Sequence, residues 1–123
     1  MLKAATLNKN NTTILFMQTD DLTVKVSEAV TGDMGQKLLV SGSAIALRQW
    51  NEEPGDAADK PARSSDYETV GYVIQGKAEL TVSGKTVTLE PGVSWVVPKN
   101  TEHSYKILET FQAVEATHPP ANG

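Results

Sequence analysis

Apolar and polar positions alternate along this chain in short runs separated by turn-forming residues. The run LTVKVSEAV over residues 22–30 puts Leu22, Val24, Val26 and Val30 on one face with period two, Glu28 being the exception, and predicts a half-buried strand. TTILFMQ over residues 12–18 is short, apolar and β-branched at its start, which again suits a strand. TGDMG over residues 31–35 reads as a turn, and residues 36–40 and 43–50 predict two strands around Ser41-Gly42. A helix over residues 44–50 competes, since Ala, Leu, Arg and Gln are good helix formers, but the short length and flanking glycines favour the strand. One of Arg48 and Gln49 must face inward on it, and the pattern leaves open which. Further strands are expected over residues 70–74, 78–82, 85–89, 93–97, 103–108 and 111–116, with turns at Ser83-Gly84, Pro91-Gly92 and residues 98–100. Strand and turn signals recurring every 8–12 residues or so are the signature of an all-β sandwich or barrel.

Between these runs, residues 51–66 (NEEPGDAADKPARSSD) are polar, rich in Pro, Gly and Asp, and aperiodic. Compact domains seldom keep a structureless loop beyond about 12–15 residues without a use for it, so this segment is either a lid or site loop or a solvated connector. Residues 1–11 read as a loose arm or edge segment, and residues 118–123 as a tail. A length of 123 residues suits one domain: a barrel over about residues 40–117, preceded by N-terminal strands and an arm over 1–39.

Composition narrows the partners. A net charge of −4, with the eleven basic residues scattered, argues against nucleic acid, whose binding rests on clustered Lys and Arg. There is no cysteine for a disulfide or a thiolate metal site. No run approaches the roughly 18 apolar residues of a membrane span, and the first ten residues lack a signal-like apolar stretch, so a cytoplasmic protein is expected.

Two segments then suggest a family. Gly92, the five residues VSWVV, Pro98, Lys99, Asn100, Thr101, Glu102 and His103 resemble the second motif of the cupin superfamily, with Asn100 where Gly is usual and Ile107 where the family has Asn. Anchoring the first motif on Gly76 puts Thr69 in the place of its Glu, and Arg63 and Ser65, or Ala62 and Ser64, in the places of its His pair. A one-residue bulge would bring Glu68 to the carboxylate position, but no register restores the histidines. Over about residues 40–117 the resemblance implies an all-β, double-stranded β-helix barrel of jelly-roll-like shape.

Metal-bearing members of that superfamily hold an ion with lumen-facing imidazoles and a carboxylate. This chain has only His103 and His118, and His118 lies past the motifs. No tightly held metal or other cofactor is therefore expected, at most a weakly held divalent ion at His103. The resemblance makes His103 and Glu68 candidates for a metal-free general acid and base, as in the sugar-nucleotide epimerases, His103 as a packed core residue being the plainer account. Arg63, Arg48, Tyr105 and Tyr67 are the candidate ligand-binding residues, a guanidinium in place of a metal-binding His suiting a carboxylate or phosphate. Tyr72, Trp50 and Trp95 read mainly as packing. The expected function is binding of a small polar or anionic molecule in the barrel mouth; the alternatives are an acid–base isomerase and a metal-dependent dioxygenase or isomerase. The apolar runs at residues 12–18 and 22–30 suggest an edge on which two copies pair as a homodimer.

Overall fold

A computed structural model describes residues 22–55 and 59–121. Its framework is a pair of long antiparallel strands, β5 (Glu68–Val82) and β8 (His103–His118), in register from Glu68 opposite His118 to Val82 opposite His103. Each long strand takes a different short partner along each half of its length. β7 (Ser94–Val97) pairs with the first half of β5 and β6 (Lys85–Leu89) with the second. Likewise β4 (Lys60–Arg63) pairs with the start of β8, and β3 (Ala46–Glu52) with its end. Strands β2 (Lys37–Ser41) and β1 (Val30–Thr31) extend the sheet beyond β3. The result is the expected antiparallel β-barrel.

Residues 70–74 and 78–82, and likewise 103–108 and 111–116, are not separate strands as their punctuation suggests. Each pair is one strand bent in the middle, with register shifts between Val73 and Ala78. Gly76 makes the bend possible: its φ is +89°, and a Cβ there would lie 1.8 Å from the Thr110 carbonyl oxygen. A local bend lets one strand serve both halves of a closed barrel, which a hydrophobicity pattern read residue by residue does not reveal.

The N-terminal part departs further from expectation. Residues 22–30 are not a half-buried strand: Val26–Glu28 form a 3₁₀ turn closed by Glu28 N–H to Lys25 O (2.9 Å), and only Val30–Thr31 pairs with a neighbour. Leu22 and Val30 are 92% and 68% exposed. The period-two face has nothing among the described residues to pack against, and local hydrogen bonds win. Residues 12–18 lie outside the described part. The competing helix over residues 44–50 does not form, because from Ala46 onward the segment is paired with β8. Residues 51–66 are not structureless either, since β3 runs on to Glu52 and β4 lies within the segment.

Inside the barrel, Val73, Ala78, Leu80, Leu89, Trp95, Val97, Ile107, Phe111 and Ala113 form one apolar cluster. The period-two alternation of β5 and β8 delivers these side chains to the same face, and burying each large one removes roughly 1.5–3 kcal/mol of unfavourable hydration. Asn100, which replaces the usual glycine of the motif, takes φ 59° and donates its backbone N–H to Ser65 O at 2.7 Å. Asparagine tolerates this left-handed conformation better than most residues, so the turn leading to His103 keeps its shape.

Candidate functional site

At one end of the apolar cluster the barrel opens into a pocket continuous with solvent. Ile107 and Phe111 contribute its apolar lining, while Trp50, Tyr67, Trp95 and Tyr105 supply aromatic walls. Arg48, Lys60, Arg63 and His103 bring nitrogen groups, and Glu52 and Glu115 bring carboxylates. Backbone register explains the convergence. On β3 the inward positions are Ala46, Arg48 and Trp50; on β8 they include Ile107, Phe111, Ala113, Glu115 and Thr117. Arg48 is directly opposite Glu115 in the ladder, and Arg63 of β4 is opposite His103. Trp95 owes its position to Gly71, where a Cβ would come within 2.4 Å of the indole.

A buried ion pair anchors the polar end. Arg48 Nε donates to Glu115 Oε1 at 2.7 Å, and Trp50 Nε1 donates to the same oxygen at 2.8 Å. The Arg48 guanidinium also lies 5.3 Å from the ring centres of both Trp50 and Tyr67, within cation–π range. Burial alone would lower the Arg48 pKa, but the charge of Glu115 and contact with Tyr67 outweigh it and hold the group above its ordinary value. Lys60 Nζ sits 3.5 Å from Glu52 Oε2 and 5.2 Å from the Trp50 ring centre.

The two tyrosines of the site are pushed apart. Burial raises Tyr67, yet its hydrogen bond with Ser65 and the nearby guanidinium groups of Arg48 and Arg63 bring it below the usual phenol value. Arg48 Nη1 and Arg63 Nη2 each lie 3.4 Å from its hydroxyl oxygen. Tyr105 goes the other way: desolvation raises it, the Glu115 carboxylate adds to the effect, and its oxygen accepts a hydrogen bond from Trp95 Nε1 at 3.2 Å.

Arg63 is held at the mouth by Ser65 Oγ (3.2 Å) and by contact with the Met34 sulfur. Unlike Arg48 and Lys60, it has no carboxylate within ion-pair distance among the described residues. His103 Nδ1 is 2.9 Å from Thr101 O, and the Tyr105 ring meets the imidazole edge-on at 5.8 Å.

Of the residues singled out from sequence, His103, Arg63, Arg48, Tyr105 and Tyr67 all line this one pocket. Glu68 does not. β5 runs in regular register through residues 68–73, with no bulge there, so Glu68 lies exposed while Thr69 turns inward and is 5% exposed. The His103–Glu68 dyad is therefore not formed. His118 is remote from the pocket lining and bonds Ala44 O at 2.6 Å. The inward residue of β3 is Arg48, and Trp50 and Trp95 are pocket walls as well as packing. Glu115 and Lys60 were missed. The signal for Glu115 was parity, since it shares the odd-numbered face of His103, Tyr105, Phe111 and Ala113; Lys60 lay in an aperiodic segment and carried none.

Comparison with known proteins agrees with this architecture. A family profile described as "Cupin domain" matches residues 49–116. The chain belongs to the cupin family. Its fold is similar to that of an RmlC-like cupin from Shewanella frigidimarina NCIMB 400, with a TM-score of 0.75 and 18% identity over 86% of this chain and 97% of that one. It is also similar to KdgF from Halomonas sp., with a TM-score of 0.65 and 22% identity over 71% and 79% of the respective chains. A salicylate 1,2-dioxygenase from Pseudaminobacter salicylatoxidans gives a TM-score of 0.57 at 21% identity over 62% of this chain and 21% of that one. No curated protein matches the sequence. Cupin membership supports a small-molecule-binding or enzymatic barrel without assigning a substrate.

The donor set at the metal position of the family does not suit a transition-metal ion. With the motif anchored on Gly76, Arg63 and Ser65, or Ala62 and Ser64, fall in the His-pair places and Thr69 in the Glu place, and His103 is the motif ligand that is kept. Among the described residues no three His, Asp, Glu or Cys side chains gather around a common point. Glu115 Oε1 is already committed to Arg48 and Trp50, and two guanidinium groups in the same lining oppose a divalent cation. Nor is any helix among the described residues long and apolar enough to cross a membrane.

Proposed function

We propose that this cupin binds a small anionic molecule, with a carboxylate as the simplest anion, in the barrel mouth without a metal. The observation that carries the reading is the charge balance of the lining. Glu115 neutralises Arg48 and Glu52 neutralises Lys60, while Arg63 faces the same pocket with no carboxylate partner among the described residues. A guanidinium offers planar paired donors that match a carboxylate or phosphate, and Arg63 presents them at the exposed mouth of a pocket walled by Trp and Tyr rings. An acid–base reaction through His103 and Glu68 loses its support, because Glu68 lies outside the pocket.

Calorimetric titration with a panel of small carboxylates and phosphates tests this, with and without chelator. Binding that survives chelator and falls at least about tenfold in Arg63→Gln, the ratio expected for loss of one charge-assisted hydrogen bond, is the expected result. Binding that requires an added divalent ion would overturn it.

The reading includes association of two copies: the expected edge is residues 12–18 with 22–30, of which 12–18 lie outside the described residues, and we place the contact instead on the outer face of β5 and β7. Val70, Tyr72, Ile74 and Val96 are about half exposed there, and Val70 is paired with Val96. Unpartnered apolar groups of this kind favour a second copy over water. Light scattering should give a dimer mass that falls to the monomer mass in Val70→Lys; a wild-type monomer mass refutes this part.

A further inference from the structure

The hydrogen-bonding state of His103 narrows the ligand beyond an anion. A carbonyl oxygen only accepts, so the 2.9 Å contact of His103 Nδ1 with Thr101 O puts the ring proton on Nδ1. In the neutral imidazole Nε2 then carries a lone pair and can only accept. Among the described residues no donor is hydrogen-bonded to Nε2: the neighbouring Tyr105 ring stands perpendicular to the imidazole with centroids 5.8 Å apart, and its hydroxyl oxygen accepts from Trp95. A ligand carboxylate would meet this nitrogen lone pair to lone pair, so His103 calls instead for an O–H or N–H group.

The donor for the carboxylate stands directly across the ladder, since Arg63 is the register partner of His103 and both line the pocket. Directly opposed residues on one face have Cβ atoms only about 4.5–5.5 Å apart, so one small molecule can meet both side chains. Trp50 Nε1 is bonded to Glu115 and Trp95 Nε1 to Tyr105, so neither indole N–H competes for the ligand.

We propose that the pocket selects hydroxy acids with an apolar or planar body, the carboxylate on Arg63 and the adjacent hydroxyl donating to His103 Nε2. This rests on the anion-binding reading above, and it makes a demand that reading does not: the ligand must donate a hydrogen bond.

Three matched probes separate the two claims: mandelate, phenylacetate, which lacks the hydroxyl, and O-methylmandelate, which keeps the oxygen but cannot donate. In calorimetric titrations at pH 8 mandelate should bind about tenfold more tightly than phenylacetate, the ratio of one hydrogen bond of ordinary strength, and O-methylmandelate no more tightly than phenylacetate. In His103→Leu the preference should collapse while phenylacetate affinity stays near wild type; His103→Gln, which retains a side-chain carbonyl acceptor, should keep part of it. If His103→Leu does not fold, the wild-type comparison of mandelate with its methyl ether decides alone. Equal affinity for all three probes, each weakened in Arg63→Gln, would overturn the hydroxy-acid inference and leave anion binding standing. No binding of any of the three would overturn both.

Discussion

The two ends of the barrel interior share the long strands β5 and β8 with the same alternation, and they behave as different materials. Around Val73, Ala78, Leu80, Leu89 and Ala113 the inward side chains are apolar and at most 1% exposed. At the open end β8 delivers His103, Tyr105 and Glu115 inward, and β3 delivers Arg48 and Trp50. The apolar end is held by a non-directional force that tolerates repacking, whereas at the polar end each buried group needs a particular partner. Arg48, Glu115 and Trp50 satisfy one another, while among the described residues Arg63 has no carboxylate partner and His103 Nε2 no donor. On the proposed reading these two groups are the ones that meet the ligand.

Removing the carboxylate of Glu115 should produce the largest effect. Glu115→Ala leaves Arg48 charged and buried and Trp50 Nε1 without its acceptor, so denaturant unfolding should show a loss of about 3–5 kcal/mol. Replacing both partners, Arg48→Met with Glu115→Leu, should restore much of that stability, because two apolar groups need no partner. A loss below about 1 kcal/mol in the single variant would mean that water already solvates the pair and that the polar end is not a closed network.

Leu89→Ala, on β6 opposite Ala78, probes the other end. It should cost about 2–5 kcal/mol through lost burial and a residual cavity, with anion affinity unchanged among the molecules that remain folded. Weakened binding in this variant would show that the two ends are mechanically coupled and would blunt the distinction between them.

The smallest effect is a titration. Tyr67, lowered beneath the ordinary phenol value of 10.0, should ionise first when phenolate absorbance is followed on raising the pH, and Tyr67→Phe should abolish that early step. Because its folded value is depressed, Tyr67 adds stability only as the pH climbs past that value, in full above 10.0. Tyr105, raised by burial, acts oppositely: its contribution is complete below 10.0 and is lost as the pH rises further. Phenolate absorbance growing in one step at the ordinary value would contradict the bracketing of Tyr67 by two guanidinium groups.

Much of this was legible before any coordinates. Val93 N–H bonds Glu90 O at 2.9 Å around Pro91-Gly92, as a Pro-Gly turn requires, and Ser83-Gly84 joins β5 to β6 with both residues at positive φ. Thr69 in the place of the motif's Glu faces the pocket as the Gly76 anchor implied, while the bulge that would have rescued Glu68 is absent. The face at residues 22–30 misled, because period two records which side chains share a side and says nothing of whether a neighbour covers that side.

Local patterning by itself determined that the chain is all-β, where several of its turns fall, and that the usual ion-binding histidines are missing around a retained His103. Those facts depend on backbone conformation and residue identity, which are properties of neighbours in the chain. Tertiary structure alone decided that Arg48 rather than Gln49 enters the barrel, that Glu115 meets it across 67 residues of sequence, and that Arg63 is left without a carboxylate among the described residues. Charge compensation depends on distances through space, and strand register sets those distances.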